Sequence, residues 1–236
     1  MKGRILDQVL AAEREHRSVA LATDLATGRQ LLFEGEHAEG DLALDEAALD
    51  RVREAWRTGR NRTIETGAGR VFVEVLTPPH RSFIIGAVHI AQPLARMLTM
   101  ADYAVTVIDP RGAFATQARF PDVELTQEWP DEALERLQPD RGSAVVALTH
   151  DPKIDDPALA AALRSDCFYI GALGSRRNHA GRCARLKELG FRDDDLARIH
   201  GPIGLAIGAV STAEVAISIV AEMTQVLRHG EAAEAA

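Results

Sequence analysis

The sequence predicts an α/β protein: a doubly wound parallel sheet over residues 80 to 228, preceded by a small α+β domain over residues 1 to 78. Three observations carry this expectation. Beyond Pro78-Pro79 the chain alternates short apolar strands with helical segments, and strands that are apolar throughout must be covered on both faces. Before those prolines it reads as helices and hairpins, with strands that alternate between two faces. The 236 residues, 46% hydrophobic and 26% charged, are enough to build two cores.

In order, Ile5, Leu6, Val9 and Leu10 share one face of an opening surface helix. The runs Val19 to Ala22 and Leu31 to Phe33 flank turn chemistry at Asp24 to Gly28, a hairpin. Leu42, Leu49, Val52 and Trp56 recur at helical spacing from an Asp45 cap to Gly59. A second hairpin joins Arg62 to Thr66 with Arg70 to Leu76 through Gly67-Ala68-Gly69.

Past the prolines, strands are expected at Ser82 to Ile85, Ala104 to Ile108, Ala144 to Leu148 and Phe168 to Ala172. Helices are expected from His89 to Ala101, from Asp156 to Arg164 with Pro157 in the first turn, and from Arg176 to Leu189 before Gly190. A short helix should cover Asp194 to Ile199 and a long one Thr212 to Leu227, with residues 229 to 236 a disordered tail that frays from Glu231.

The charge balance narrows the function. With 27 basic and 35 acidic side chains the formal charge is −8, so no global positive field exists to hold nucleic acid or an anionic membrane. No apolar run approaches the roughly 20 residues of a membrane span, and the start of the chain lacks a signal-peptide core, so the expected location is cytoplasmic. Cys167 and Cys183 are too few and wrongly spaced for a disulfide framework or a cysteine-built zinc site.

In a doubly wound sheet, ligands bind beyond the carboxyl ends of the strands, so the residues that follow each apolar run are the candidates. The first group is Gly86-Ala87-Val88-His89-Ile90-Ala91, a dinucleotide fingerprint with Val88 in place of the middle glycine. Gly86 would shape the turn, and His89 would either cap the helix or meet a ligand. The second is Asp109-Pro110-Arg111, with Asp109 at the spacing of a ribose-binding acid and an Asx turn as the alternative. The third is Thr149-His150-Asp151, read as substrate contacts.

The fourth group is the most informative: Tyr169-Ile170-Gly171-Ala172-Leu173-Gly174-Ser175-Arg176-Arg177 runs from a strand through a glycine turn into a helix start with two arginines. Gly171 and Gly174 would free the backbone, and the helix amides, Ser175, Arg176 and Arg177 would converge on a phosphate; the alternative is that Gly174 and Ser175 only shape the turn and cap the helix while Arg177 is solvated. His200-Gly201-Pro202-Ile203-Gly204 then forms a stiff loop, with His200 and Gly204 walling the pocket.

Five of these motifs, Gly86 to His89, Val107 to Arg111, Leu148 to Asp151, Tyr169 to Arg177 and His200 to Gly204, together resemble the carboxy-terminal domain of xanthine dehydrogenase accessory factors, the XdhC and CoxI family. The resemblance spans about residues 80 to 228. It implies a Rossmann-like domain in a cytoplasmic, non-enzymatic carrier. Such a carrier binds the molybdenum cofactor (molybdopterin), shields it while the sulfido ligand is installed, and delivers it to an apo molybdenum hydroxylase such as xanthine dehydrogenase. A cysteine desulfurase and a second copy of the chain, forming a homodimer, are further candidate partners.

The chain departs from the family at Val88, at Ala206 where relatives often carry an aspartate, and in residues 1 to 80, which lack the Gly-Ser-Ala-Pro-Arg and Gly-Gly-Cys-Val-Glu stretches. Two other readings stand beside the carrier. One is an NAD(P)-dependent oxidoreductase built on the turn at Gly86 and on Asp109. The other is a regulatory partner of a molybdoenzyme with a vestigial pocket.

Overall fold

The computed structural model describes residues 3–67 and 69–234. Met1 and Lys2, Ala68 of the expected hairpin turn, and Ala235 and Ala236 of the expected tail lie outside the described residues. Two compact units result, one made of Met1–Pro78 with His229–Ala236, the other of Pro79–Arg228.

In the first unit, α1 (Gly3–Arg14) and α2 (Glu46–Thr58) cover opposite faces of an antiparallel sheet built from β1 (Val19–Asp24), β2 (Gln30–Glu34), β3 (His37–Gly40), β4 (Arg62–Thr66) and β5 (Gly69–Leu76). The period-two alternation of β1 decides which residue faces which helix. Val19 and Leu21 pack with Ile5 and Ala12 of α1, while Ala20 and Ala22 pack with Val52 and Ala55 of α2. Asp45 caps α2 by accepting from the Ala48 N–H at 2.8 Å, and Gly59 ends it at φ +63°.

The two expected hairpins merge into one sheet of order β3-β2-β1-β5-β4, because β1 also pairs with β5 from Val19↔Leu76 to Asp24↔Val71. The edge strand β3 was not expected. All four of its residues are exposed, so no hydrophobic alternation marks it in the sequence.

The second unit holds six parallel strands in the order β11-β10-β9-β6-β7-β8. They are β6 (Arg81–Ile85), β7 (Ala104–Ile108), β8 (Glu124–Thr126), β9 (Ser143–Ala147), β10 (Tyr169–Ala172) and β11 (Ile199–His200). The helices are α3 (Ala91–Met100), α4 (Pro130–Leu137), α5 (Pro152–Leu163), α6 (Arg176–Glu188), α7 (Asp193–Leu196) and α8 (Thr212–Glu234). Ile84, Val107 and Val146 pack with Leu94 and Leu98 of α3 and with Ile219 and Met223 of α8. Phe83, Ile85 and Ile170 form the opposite core with Leu134, Leu159 and Leu186 of α4, α5 and α6. Helices on both faces explain strands with no polar side, as expected of a Rossmann-like, doubly wound sheet.

Several boundaries differ from expectation. The helix after β6 starts at Ala91, leaving His89 in the preceding turn. The next expected helix starts not at Asp156 but at Pro152, capped by Asp151, so Pro157 lies inside it. Of two prolines that could open a helix, the first does so. β8 and α4, between residues 112 and 143, were not anticipated. Instead of extending to Ile199, α7 stops at Leu196, and Ile199 and His200 pair with Ile170 and Gly171 as β11, a strand too short to show a period. Helix α8 continues to Glu234, through most of the segment expected to be a disordered tail.

Candidate functional site

Because all six strands are parallel, the residues after β6, β7, β9, β10 and β11 gather at one edge of the sheet, and the strand order reverses between β6 and β9. That reversal opens the crevice in which doubly wound sheets bind ligands.

The turn after β6 is closed. Gly86 has φ +100°, and a β-carbon there would overlap Thr149 Cγ2, which lies across the crevice. The Ala87 N–H, which would otherwise face a pyrophosphate, donates to Asp109 Oδ2 at 2.8 Å. Asp109 is fully buried and also accepts from the Arg111 backbone N–H, Nε and Nη2, each at 2.9 Å. Burial opposes its ionisation, but the bonds from Arg111 and Ala87 outweigh it and hold the carboxyl below its usual range.

Four donors saturate the two oxygens. The expected ribose-binding acid is therefore corrected: Asp109 ties the turn to β7 and orients Arg111, whose guanidinium lies 5.0 Å over the Phe114 ring. His89 is exposed and makes no side-chain hydrogen bond among the described residues.

The turn after β9 is organised by a residue the sequence reading missed. Asp155, buried on α5, accepts from the Thr149 N–H at 3.2 Å, the Thr149 hydroxyl at 2.7 Å and the His150 N–H at 3.0 Å. His150 consequently adopts φ +64° and is exposed, with Nδ1 3.8 Å from where a β-carbon on Gly174 would stand. Asp151, expected among the substrate contacts, is engaged within its own turn. Its carboxylate accepts from the Lys153 N–H at 3.0 Å and is occupied as the cap of α5.

The turn after β10 is open. Gly174 has φ +141°, Ser175 caps α6 by accepting from the Asn178 N–H at 3.2 Å, and the first turn of α6 carries no acidic residue. Ser175, Arg176 and Arg177 are exposed, and neither arginine has an ion-pair partner among the described residues. Free amides, a positive helix end and two guanidiniums without an ion-pair partner among the described residues stand together here, the donors that an anion would need. Gly171 is corrected from ligand contact to packing: a β-carbon there would overlap Ile203 and the Tyr169 ring.

His200 and Gly204 meet on a second residue that was missed. Glu222 of α8 accepts from the Tyr169 hydroxyl at 2.5 Å and from the Gly204 N–H at 2.8 Å, and its Oε1 lies 3.3 Å from His200 Nδ1. The His200 ring stacks on Tyr169 at 4.7 Å and 25°. Burial, reinforced by Glu222, pushes the Tyr169 phenol up, so it stays a neutral donor. A carboxylate among the apolar neighbours Ile219, Val220, Ala221 and Met223 was the available signal for Glu222. Asp155 had none, since Asp155-Asp156-Pro157 reads equally as a helix start.

The edge thus offers free amides and two exposed guanidiniums at α6, one imidazole beside them at His150, and another at His200 held by a carboxylate. Among the described residues no group of three or more His, Cys, Asp or Glu could hold a metal ion, and no helix is long and apolar enough to cross a membrane. Burial pushes the Cys167 thiol up.

The family model for the XdhC Rossmann domain matches residues 83–223. A Bacillus subtilis protein named as a probable xanthine dehydrogenase subunit is 30% identical over 156 residues, 66% of this chain and 45% of the relative. The molybdenum cofactor insertion chaperone PaoD of Escherichia coli is 38% identical over 94 residues, 40% of this chain and 30% of the relative. The chain therefore spans less than half the length of these curated relatives. The crystal structure of a Bacillus halodurans protein titled a xanthine dehydrogenase superposes with a TM-score of 0.73 at 24% identity, covering 96% of this chain and 64% of that one, a likeness of fold.

Proposed function

The chain belongs to the XdhC family through its Rossmann domain, and from that premise we propose that it is a carrier and insertion chaperone for the molybdenum cofactor, serving an apo hydroxylase of the xanthine dehydrogenase class. The carrying observation is the open turn at Gly174 to Arg177, an anion site suited to the phosphate of the pterin cofactor. His150 and His200 then line the path of the pterin, as donors and acceptors able to read its polar edge. The names of PaoD and of the Bacillus subtilis relative support the choice of cargo and recipient.

The same proposal places the protein in the cytoplasm as a homodimer and lets a cysteine desulfurase supply the sulfido ligand while the cofactor is held. The residues that remain in the proposed site are Gly174, Ser175, Arg176, Arg177, His150 and His200, with Gly86, Asp109, Arg111, Asp151, Gly171 and Gly204 as its scaffold and His89 at its rim. An NAD(P) site at the first turn is disfavoured by the saturated carboxylate of Asp109.

The test is metal analysis and mass spectrometry of the protein after co-expression in a host that makes the cofactor. Stoichiometric molybdenum with a pterin phosphate is expected. NAD released in its place would overturn the reading. Light scattering and pull-down against a cysteine desulfurase test the two partners.

A further inference from the structure

Three buried polar atoms without a hydrogen-bond partner belong to two neighbouring residues of α6: His179 Nδ1, and Nε and Nη1 of Arg182. Arg182 is only 3% exposed. Helical side chains lean toward the helix N-terminus, and the guanidinium reaches back so that Nη2 donates to the Leu173 carbonyl at 3.0 Å, directly before the Gly174-Ser175 turn. Nη2 also lies 3.5 Å from Asp155 Oδ2, too long for a strong bond, and Asp155 in turn holds the amides of Thr149 and His150. Arg182 therefore sits between the two turns that frame the anion site.

A buried guanidinium carries a desolvation cost, which its bond to the Leu173 carbonyl and its long contact with Asp155 offset only in part while Nε and Nη1 make no bond. Unmade donors on a charge this deeply buried call for an explanation, and a ligand supplies one. Its surroundings support that explanation. Burial, with the charge of Arg182 second, pushes the His179 pKa down, so the imidazole adds no competing cation. Burial pushes the Asp155 carboxyl up, against the bonds from Thr149 and His150 and the charge of Arg182.

We propose that Arg182 is the principal cation of the anion site: a phosphate ester docks on the amides at the start of α6 and takes up the unpartnered donors of Arg182, which gives up its long contact with Asp155. Arg176 and Arg177 attract the anion from the surface, and the buried charge holds it. This inference rests on the reading of the turn as the seat of the cofactor phosphate, and it names the residue that seats it.

The experiment titrates the intact chain with phenyl phosphate and with pyrophosphate, following the arginine Nε–H resonances by NMR, and compares Arg182→Met and Arg182→Lys with the wild type. The Arg182 Nε–H resonance is expected to shift on binding. Arg182→Met should unfold at a lower temperature, because Asp155 is left without its cation, and the folded variant should bind roughly a hundredfold more weakly, with partial recovery of both in Arg182→Lys. Wild-type affinity in folded Arg182→Met, or an unmoved Arg182 resonance at saturation, overturns the role of Arg182 and leaves the turn as the site. If the wild type binds neither probe at millimolar concentration, the phosphate-site reading itself falls.

Discussion

The turn after β6 and the turn after β10 follow one local grammar: an apolar parallel strand, a glycine with positive φ, and a helix. Their fates are opposite. At Gly86 the crevice is filled by Thr149, the neighbouring amide is consumed by Asp109, and α3 begins from a helical Ile90 with no side-chain cap. At Gly174 the turn faces solvent, Ser175 caps α6, and unpaired arginines follow. A strand–glycine–helix pattern thus marks where an anion site can form. Whether its amides are free depends on residues distant in sequence, here Asp109, which takes the Ala87 N–H of the first turn.

The largest way to break this contrast is Asp109→Asn. The amide cannot satisfy Arg111 and the Ala87 N–H together, so the unfolding free energy should fall by about 3–5 kcal/mol, read by urea denaturation. The folded-state pKa of Asp109 lies below its ordinary value of 3.8. Its stabilisation is therefore fully present above 3.8 and lost as the pH falls through the folded value, so the gap between wild type and variant should narrow on acidification below that range. A gap independent of pH would mean that the folded protein favours the ionised carboxylate no more than the unfolded chain does.

A smaller effect is expected from Gly174→Ala. At φ +141° an L-residue is strained, and the new β-carbon would stand 3.2 Å from Asn178 Cβ. A loss of about 1–3 kcal/mol in stability is expected from thermal unfolding, together with weaker phosphate binding. The same substitution at exposed Gly190, also at positive φ but with nothing near its β-carbon, is the control for strain alone.

Smaller still, Arg176→Ala should weaken phenyl phosphate binding by about tenfold at low salt and Arg177→Ala by less. Successive helical residues point roughly 100° apart, so the two cannot cover one anion. The difference should shrink with added salt, as expected of exposed charges. Equal losses in calorimetry would remove the distinction between them.

The smallest effect sharpens the comparison. Val88→Gly, which the fingerprint alone suggests would admit a dinucleotide, should leave NAD binding unchanged by calorimetry, because Thr149 still fills the crevice and Asp109 still holds the amide. Adding Thr149→Ser removes the methyl and keeps the hydroxyl that bonds Asp155. A gain in NAD binding from Val88→Gly alone would show that the first turn is open after all.

The legible parts of this protein were those coded by neighbours along the chain. Apolar strands of the parallel sheet, the Asp45 and Ser175 caps and the glycine turns each follow from a few adjacent residues whose chemistry allows little else. The open turn at Gly174 to Arg177, where the proposed anion site lies, was visible for the same reason. Less visible were β3 and β11, one wholly exposed and one two residues long, since neither buries enough to leave a period.

The roles of the polar residues at the sheet edge were decided elsewhere. Asp109 looked like a ligand acid and became a brace because Ala87 and Arg111 reach it first. Glu222 showed only as a carboxylate among apolar neighbours, and Asp155 and Arg182 carried no local signal, yet they hold His200, the Thr149-His150 turn and the Leu173 carbonyl. By itself the sequence determined the fold class, the edge at which the strands end and the family resemblance, because periodicity and turn chemistry act over a few residues. Only the tertiary structure decided which donors at that edge are spent and which remain free. A hydrogen-bonding group is satisfied by whatever the fold brings within about 3 Å, and that partner is commonly dozens of residues away.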